Sequence, residues 1–357
     1  MIFEILNAKG KRLANIDLIK NKLFDVLDQT EPADFAEETW KELKNKLNTY
    51  DIGLATYYSH FWNAMYKSTL NNKLYDDFVS VIKPKTKERY KEFLIEMNKC
   101  ADSYIRIVNP TLDMFNRRKE YQEIVDVLYT LSTLFGIVQV RVGLLVLFKL
   151  WDDESITTKQ LKIVLHFLEH FHFVYNALLS FRANKLRSIY GNFAKAIREN
   201  NDKNMVWNII RNDLIQPLLA IMPDYTLFEQ AFCKLTYENH VDNPNNVKTK
   251  YVINQMHMYY EKKTVVESNA TIEHIYPENN KGVALNIGNL IMLESTINNS
   301  CGTKNYNEKR ILYGDSAYKW IHSFIDSNEE WEIDCINDRA KVMAKVFYDD
   351  VVLGGIS

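Results

Sequence analysis

Apolar residues recur at three- and four-residue intervals from "NIDLIKNKLFDVLD", which begins at Asn15, to about residue 262. That spacing gives each segment one apolar stripe to bury against its neighbours, which is the signature of packed helices. It predicts helices over "PADFAEETWKELKNKLN", "PKTKERYKEFLIEMNKCADSYIRI", "KEYQEIVDVLYTLSTLFGIVQVRVGLLVLFKLW" and "TTKQLKIVLHFLEHFHFVYNALLSF". Asn15 is expected to cap the first helix, with Leu18, Leu23 and Leu27 on its apolar side. No fixed-period repeat of the solenoid type is visible. Ahead of the helices, residues 2–6 (IFEIL) read as a short strand followed by the turn-like "NAKGK".

The period changes after "YVINQMHMYYEKK". "TVVESNATIEHIYP" and "NIGNLIML" are β-branched or apolar strand candidates, separated by the polar loop "ENNKGVALN". "ESTINNSCG" then reads as a short helix and "NYNEKRILYGDSAYKWIHSF" as a longer one. Strand, loop, strand and helix inside a chain that is otherwise helical form a local anomaly, and such anomalies tend to carry function.

Bulk composition narrows the field little. At 357 residues, 46% hydrophobic and 25% charged, the chain can bury a large core and suits two or three globular domains. A net charge of -2 excludes a strongly basic coat but leaves room for a local basic groove. Cys100, Cys233, Cys301 and Cys335 are far apart and form no C-x-x-C pair, so neither a cysteine zinc site nor a disulfide framework is suggested. A reducing, cytoplasmic setting is expected. The amino terminus lacks the basic-then-apolar order of a signal peptide. "GIVQVRVGLLVLFKLW" is broken by Arg141 and Lys149 and is too short to span a bilayer, so a buried helix and no membrane association are expected.

The chemistry-bearing residues cluster in the anomaly. Phosphodiester hydrolysis needs a base to take a proton from water, a cation to stabilise the phosphorane, and something to orient the base. His274 can be the base, and Glu273, on the opposite side of the strand, can hold a divalent cation. Asn289 on the second strand could bond across to the histidine-bearing segment, and Asn298 could offer a neutral oxygen ligand. Carboxylate and amide oxygens suit a hard cation, Mg²⁺ or Mn²⁺. Lys304 and Lys309 then lie where phosphates would be held.

"EHIYP", "IGNLIML" and "INNSCGTKNYNEK" in this order resemble the E-H-I-x-P, G-N-L-x-L-L and N-x-x-x-x-x-K-x-x-x-x-K elements of an HNH (ββα-metal) nuclease. More narrowly they resemble the carboxy-terminal domain of GmrSD-like, modification-dependent (type IV) restriction endonucleases. Trp331, Ile336 and Arg339 match that family's closing helix. The resemblance implies His274 as general base, Glu273 and Asn298 as metal ligands, and Asn289 as the orienting residue. Tyr276, where an aliphatic residue is commoner, and a short loop between the strands are the departures. The fold class expected is therefore mainly α, a large helical body with a small ββα-metal (HNH) insertion near the C-terminus.

"FEILNAKGKRLANIDLIKN" resembles the end of the same family's amino-terminal ParB-like nucleotide-binding module, through Phe3, Glu4, Asn7, Gly10, Leu13, Asp17 and Asn21. The organisation expected is a remnant of that module over 1–30, a helical body over 31–262 and the nuclease domain with C-terminal helices over 263–357. A separately encoded amino-terminal half would be the natural partner. DNA, modified phage DNA included, would be the substrate, and a double-strand break would need a homodimer or two visits.

Two further signals lie outside this cluster. "FRANKLRSIYGNFAKAIREN" carries Arg182, Lys185 and Arg187 and could line a DNA groove, with a solvated helix face as the competing interpretation. "HFLEH", His166 to His170, matches the zinc pattern H-x-x-E-H, but the surrounding apolar helix favours ordinary polar packing. Two other functions compete with the DNA nuclease. One is a latent or inactive binding subunit dependent on a partner, and the other is an RNA-cleaving toxin.

Overall fold

The helical periodicity is realised throughout the computed structural model, which describes residues 14–28, 34–278 and 282–354. The strand expected over 2–6, and Phe3, Glu4, Asn7, Gly10 and Leu13 with it, lie outside the described residues. The chain divides into two compact units, residues 1–164 with 183–220, and residues 165–182 with 221–357.

The first unit is helical. Its helices are α1 (Asn15–Leu27), α2 (Phe35–Thr49), α3 (Leu54–Met65), α4 (Leu74–Val81), α5 (Lys87–Val108), α6 (Gln122–Tyr129) and α7 (Arg141–Asp152). Next along the chain come α8 (Thr158–His172), whose residues from Leu165 onward belong to the second unit, and α9 (Asn184–Glu199). α5 packs on α1, α2 and α7, while α3 packs on α7 and α9. The core is aromatic: Tyr57, Tyr58, Phe61 and Trp62 of α3 are at most 1% exposed. Asn15 is the first helical residue, not the cap expected, and its amide donates to the Asn71 carbonyl at 2.5 Å. The long helix expected over 119–151 is interrupted. Gly136 adopts φ +62° between a π-helical turn, Thr130–Leu134, and α7, a conformation that residues with a β-carbon avoid.

The second unit adds α10 (Tyr225–Phe232) and α11 (Pro244–Glu261), then two strands, β1 (Ala270–His274) and β2 (Leu290–Glu294). The strands are antiparallel, with Glu273 opposite Ile291 and His274 opposite Leu290. Four helices follow: α12 (Ser295–Cys301), α13 (Tyr306–Tyr313), α14 (Lys319–Ser327) and α15 (Ile333–Val346). The single helix expected over 305–324 is two, parted after Tyr313. A two-stranded hairpin is marginal alone in water. Here α12 packs on both strands, and α11 and α14 pack on β2, so the hairpin is buried rather than free-standing.

Candidate active site

Strand alternation sends the neighbours Glu273 and His274 to opposite faces, yet both are only 4% exposed because both faces of the hairpin are covered. His274 meets the segment that precedes α11. Its Nε2 lies 3.0 Å from the Tyr237 carbonyl oxygen. A carbonyl can only accept, so Nε2 carries a proton, and the tautomer this selects has its lone pair at Nδ1. Nδ1 stands 3.9 Å from Glu278 Oε2, beyond hydrogen-bond reach. Glu278 itself accepts from the backbone and side-chain nitrogens of Asn239 at 2.6 and 2.7 Å.

The Tyr237 carbonyl is firmly placed. Tyr237 N donates to Leu285 O and Ile287 N to Leu235 O, both at 2.9 Å, around a bridge between Thr236 and Asn286. From α11, Asn246 accepts from Glu238 N and donates to the Glu238 and Val241 carbonyls, while the Thr249 hydroxyl donates to Thr236 O. The imidazole is thus oriented by a backbone oxygen that polar side chains of a helix hold in position.

Asn289 performs a second fixing task. Its amide nitrogen donates to the Tyr276 and Ala284 carbonyls, both at 2.7 Å. Its oxygen accepts from Tyr276 N at 2.7 Å and from Trp331 Nε1 at 3.1 Å. All four bonds open to an amide are made, at zero exposure. They close the turn that immediately follows His274. Arg339 of α15 completes this layer by donating to the Gly288 and Leu290 carbonyls at 2.7 and 2.8 Å, its guanidinium lying among Trp320, Phe324 and Trp331. Burial pulls its pKa down to about 10, so it remains charged at neutral pH. A β-carbon at Gly288 would fall 2.0 Å from the Ile336 carbonyl oxygen, so this close approach of α15 demands glycine.

On the opposite face, Glu273 Oε1 accepts from the Tyr313 hydroxyl and from Lys309 Nζ, both at 2.8 Å. Lys309, expected as a phosphate contact, is 1% exposed and also donates to the His274 carbonyl at 2.6 Å. It faces inward and braces the strand. Asn298 of α12 donates through its amide nitrogen to Thr271 Oγ1 and to the Ile272 carbonyl, both at 3.0 Å. Those bonds leave its amide oxygen as the donor group available to a cation.

Lys304 is exposed on the α12–α13 connection, and its Nζ donates to Ser300 O at 2.6 Å. Arg182, Lys185 and Arg187 are also exposed. Arg182 closes a segment of the second unit, while Lys185 and Arg187 lie on α9 in the first, where Arg187 donates to the Thr69 carbonyl at 2.6 Å. A cavity of about 420 Å³ opens beside Tyr276 and Pro277. Glu330 and Glu332 stand on its wall and make it a poor seat for phosphate.

Four contributors escaped the sequence. Tyr237 acts through a backbone atom, which no side-chain pattern reports. Glu278 sits four residues after His274, a spacing that could have been read. Asn246 and Thr249 were hidden in a helix whose polar positions look solvated. Among the described residues, the groups of three or more His, Cys, Asp or Glu suited to a metal reduce to His166, Glu169 and His170, whose ligand atoms lie within 4.8 Å of one another. The four cysteines are free. No helix among the described residues is long and apolar enough to cross a membrane.

Residues 222–346 match the family model of the GmrSD restriction endonucleases, C-terminal domain, so the resemblance of the motifs to that carboxy-terminal domain is borne out. The matched span lies within the second unit and holds His274, Tyr237, Asn289 and Asn298 together. The curated proteins yield no match to the chain.

Proposed function

We propose that residues 222–346 form an HNH-type (ββα-metal) nuclease that hydrolyses DNA phosphodiester bonds as the effector of a modification-dependent restriction or phage-defence system. One observation carries it: within a span similar to a restriction endonuclease domain, His274 is held with Nε2 on a carbonyl and Nδ1 turned away from any hydrogen bond. That is the protonation pattern of a general base.

In this mechanism Nδ1 takes a proton from water as its oxygen attacks phosphorus, and the bond from phosphorus to the 3′ oxygen breaks. A 5′-phosphate and a 3′-hydroxyl result. Tyr237 keeps the imidazole in the required tautomer and stabilises the imidazolium that forms. Asn289 and Arg339 hold the turn and strand that fix its position. The donors present fit a hard divalent cation, Mg²⁺ or Mn²⁺. Both bonds on Glu273 fall on Oε1, and the Asn298 amide nitrogen is already committed, leaving a carboxylate and an amide oxygen. Bound there, the cation would stabilise charge on the phosphorane and the departing oxygen. Lys309, by neutralising and bracing Glu273, is a positioning residue, and the exposed Lys304 is the cation offered to phosphate.

The full chain incubated with supercoiled plasmid, unmodified and carrying modified bases, with Mg²⁺ or Mn²⁺, should nick it. His274→Ala should lose roughly 10²–10⁴-fold in rate, and EDTA should abolish cleavage. Equal cleavage by His274→Ala would remove the assignment of the base.

A further inference from the structure

The strongest feature outside the candidate active site lies on α8. His166, Glu169 and His170 stand at i, i+3 and i+4, so they share one helix face. The rest of the helix is what its pattern predicts, with Leu161, Val164, Leu165, Phe167, Leu168 and Phe171 at 2% exposure or less. Glu169 and His170 are buried almost as deeply, at 2% and 8%.

Ordinary polar packing, expected from the sequence, leaves one atom of this cluster unmet. Nε2 of His170 is buried and makes no hydrogen bond. Such an atom costs free energy unless something binds it. Glu169 accepts from His166 Nδ1 at 3.3 Å and from Gln255 Nε2, on α11, at 3.5 Å. Both contacts are long for bonds to a carboxylate, which are normally about 2.7–2.9 Å. The carboxylate is buried beside two imidazoles without a close donor from either neighbour.

We infer that His166, Glu169 and His170 form a binding site for a transition-metal ion of the Zn²⁺ type, separate from the hard-cation site proposed at Glu273 and Asn298. Two imidazole nitrogens and a carboxylate oxygen are the donor set such an ion selects over Mg²⁺. Their ligand atoms already lie within 4.8 Å of one another. Small torsional adjustments on one helix face bring them to bonds of about 2.0–2.2 Å. A fourth position would be left to water on the side of His166, whose side chain is 33% exposed. Gln255 supplies the outer-shell hydrogen bond that orients Glu169, so the ion would tie α8 to α11. α11 is also the helix whose Asn246 and Thr249 hold the segment carrying the Tyr237 carbonyl.

The test strips the full chain with EDTA, then titrates Zn²⁺ by calorimetry, with metal content counted by mass spectrometry. Co²⁺ serves as a spectroscopic substitute. One equivalent of Zn²⁺ should bind and raise the melting temperature, and Co²⁺ should give the intense visible absorption of a four-coordinate site. His166→Ala and His170→Ala should each weaken binding by at least about 10-fold and lose the cobalt spectrum, while Asn298→Ala retains both. Absence of a Zn²⁺ equivalent in the parent chain would overturn the site. So would unchanged stoichiometry and affinity in His166→Ala, a variant at a partly exposed position that decides the matter even where His170→Ala fails to fold.

Discussion

The aromatic core of the first unit and the surroundings of the hairpin in the second are built on different principles. In the first, Trp62, Tyr66, Phe78 and Phe93 pile on one another, with ring centroids 4.9 Å apart for Trp62–Tyr66, 5.1 Å for Phe78–Phe93 and 5.3 Å for Tyr66–Phe93. Contacts of that kind depend on volume and only weakly on direction. In the second, the residues around the hairpin are polar and aimed: Asn289 makes four hydrogen bonds, Arg339 two to backbone carbonyls, and Lys309 an ion pair and a carbonyl bond. A helical pile needs only the right amount of apolar surface. A base that must present one nitrogen in one direction needs bonds that fail if they tilt.

The largest effect should come from removing one member of the buried pair. Lys309→Met leaves Glu273 as an uncompensated carboxylate at 4% exposure, and the expected loss is about 3–5 kcal/mol in urea unfolding. Adding Glu273→Gln to that variant should restore most of the loss, because the cost lies in the stranded charge more than in the missing attraction. A double variant as unstable as the single one would show that Lys309 matters for packing alone.

Asn289→Ala comes next. It strands Tyr276 N, Trp331 Nε1 and two carbonyls around a position of zero exposure, and the expected cost is about 2–3 kcal/mol. Plasmid nicking should fall further than stability explains, since the turn after His274 is no longer closed. In the aromatic unit, Leu94→Met at zero exposure keeps volume and should cost less than about 1.5 kcal/mol. If Leu94→Met proves as damaging as Asn289→Ala, the contrast between the two interiors collapses.

The same contrast explains what could be read in advance. Helices were legible because burial of one face writes a three-to-four period into the sequence, as in α5 and α8. The breaks were not. Gly136 stops a helix through a positive φ, and the chain parts after Tyr313, neither of which disturbs the apolar period around it. β1, which carries Glu273, and β2, which starts one residue after Asn289 and not at it as expected, were legible from motif spacing. Their partners were not, because the Tyr237 oxygen is backbone and the inward turn of Lys309 depends on α13 packing against the hairpin. A lysine in sequence looks like a surface charge, and only tertiary structure shows it bonded to Glu273 and to the His274 carbonyl.

The smallest effect should appear in acid, where α11 passes into β1. Glu267 accepts from Lys263 and from Nε2 of the fully buried His257, the latter at 2.8 Å. Desolvation alone would raise its pKa, but these two hydrogen bonds outweigh it and hold the carboxyl at about 2, against an ordinary value of 4.5. A carboxyl whose folded pKa is depressed stabilises the fold fully above its unfolded pKa and loses that contribution as pH falls through the folded one. The window therefore runs from about pH 4.5 down to about pH 2, and neutral pH lies outside it. Glu267→Gln should lower the melting temperature modestly at neutral pH, and its gap from the parent should close across that window. The side chain is a quarter exposed, so solvent screening keeps the effect below those of Lys309 and Asn289. A gap that stays constant from about pH 5 to about pH 2 would mean that Glu267 contributes through shape. The directed polar bonding of the second unit would then leave out the junction between α11 and β1.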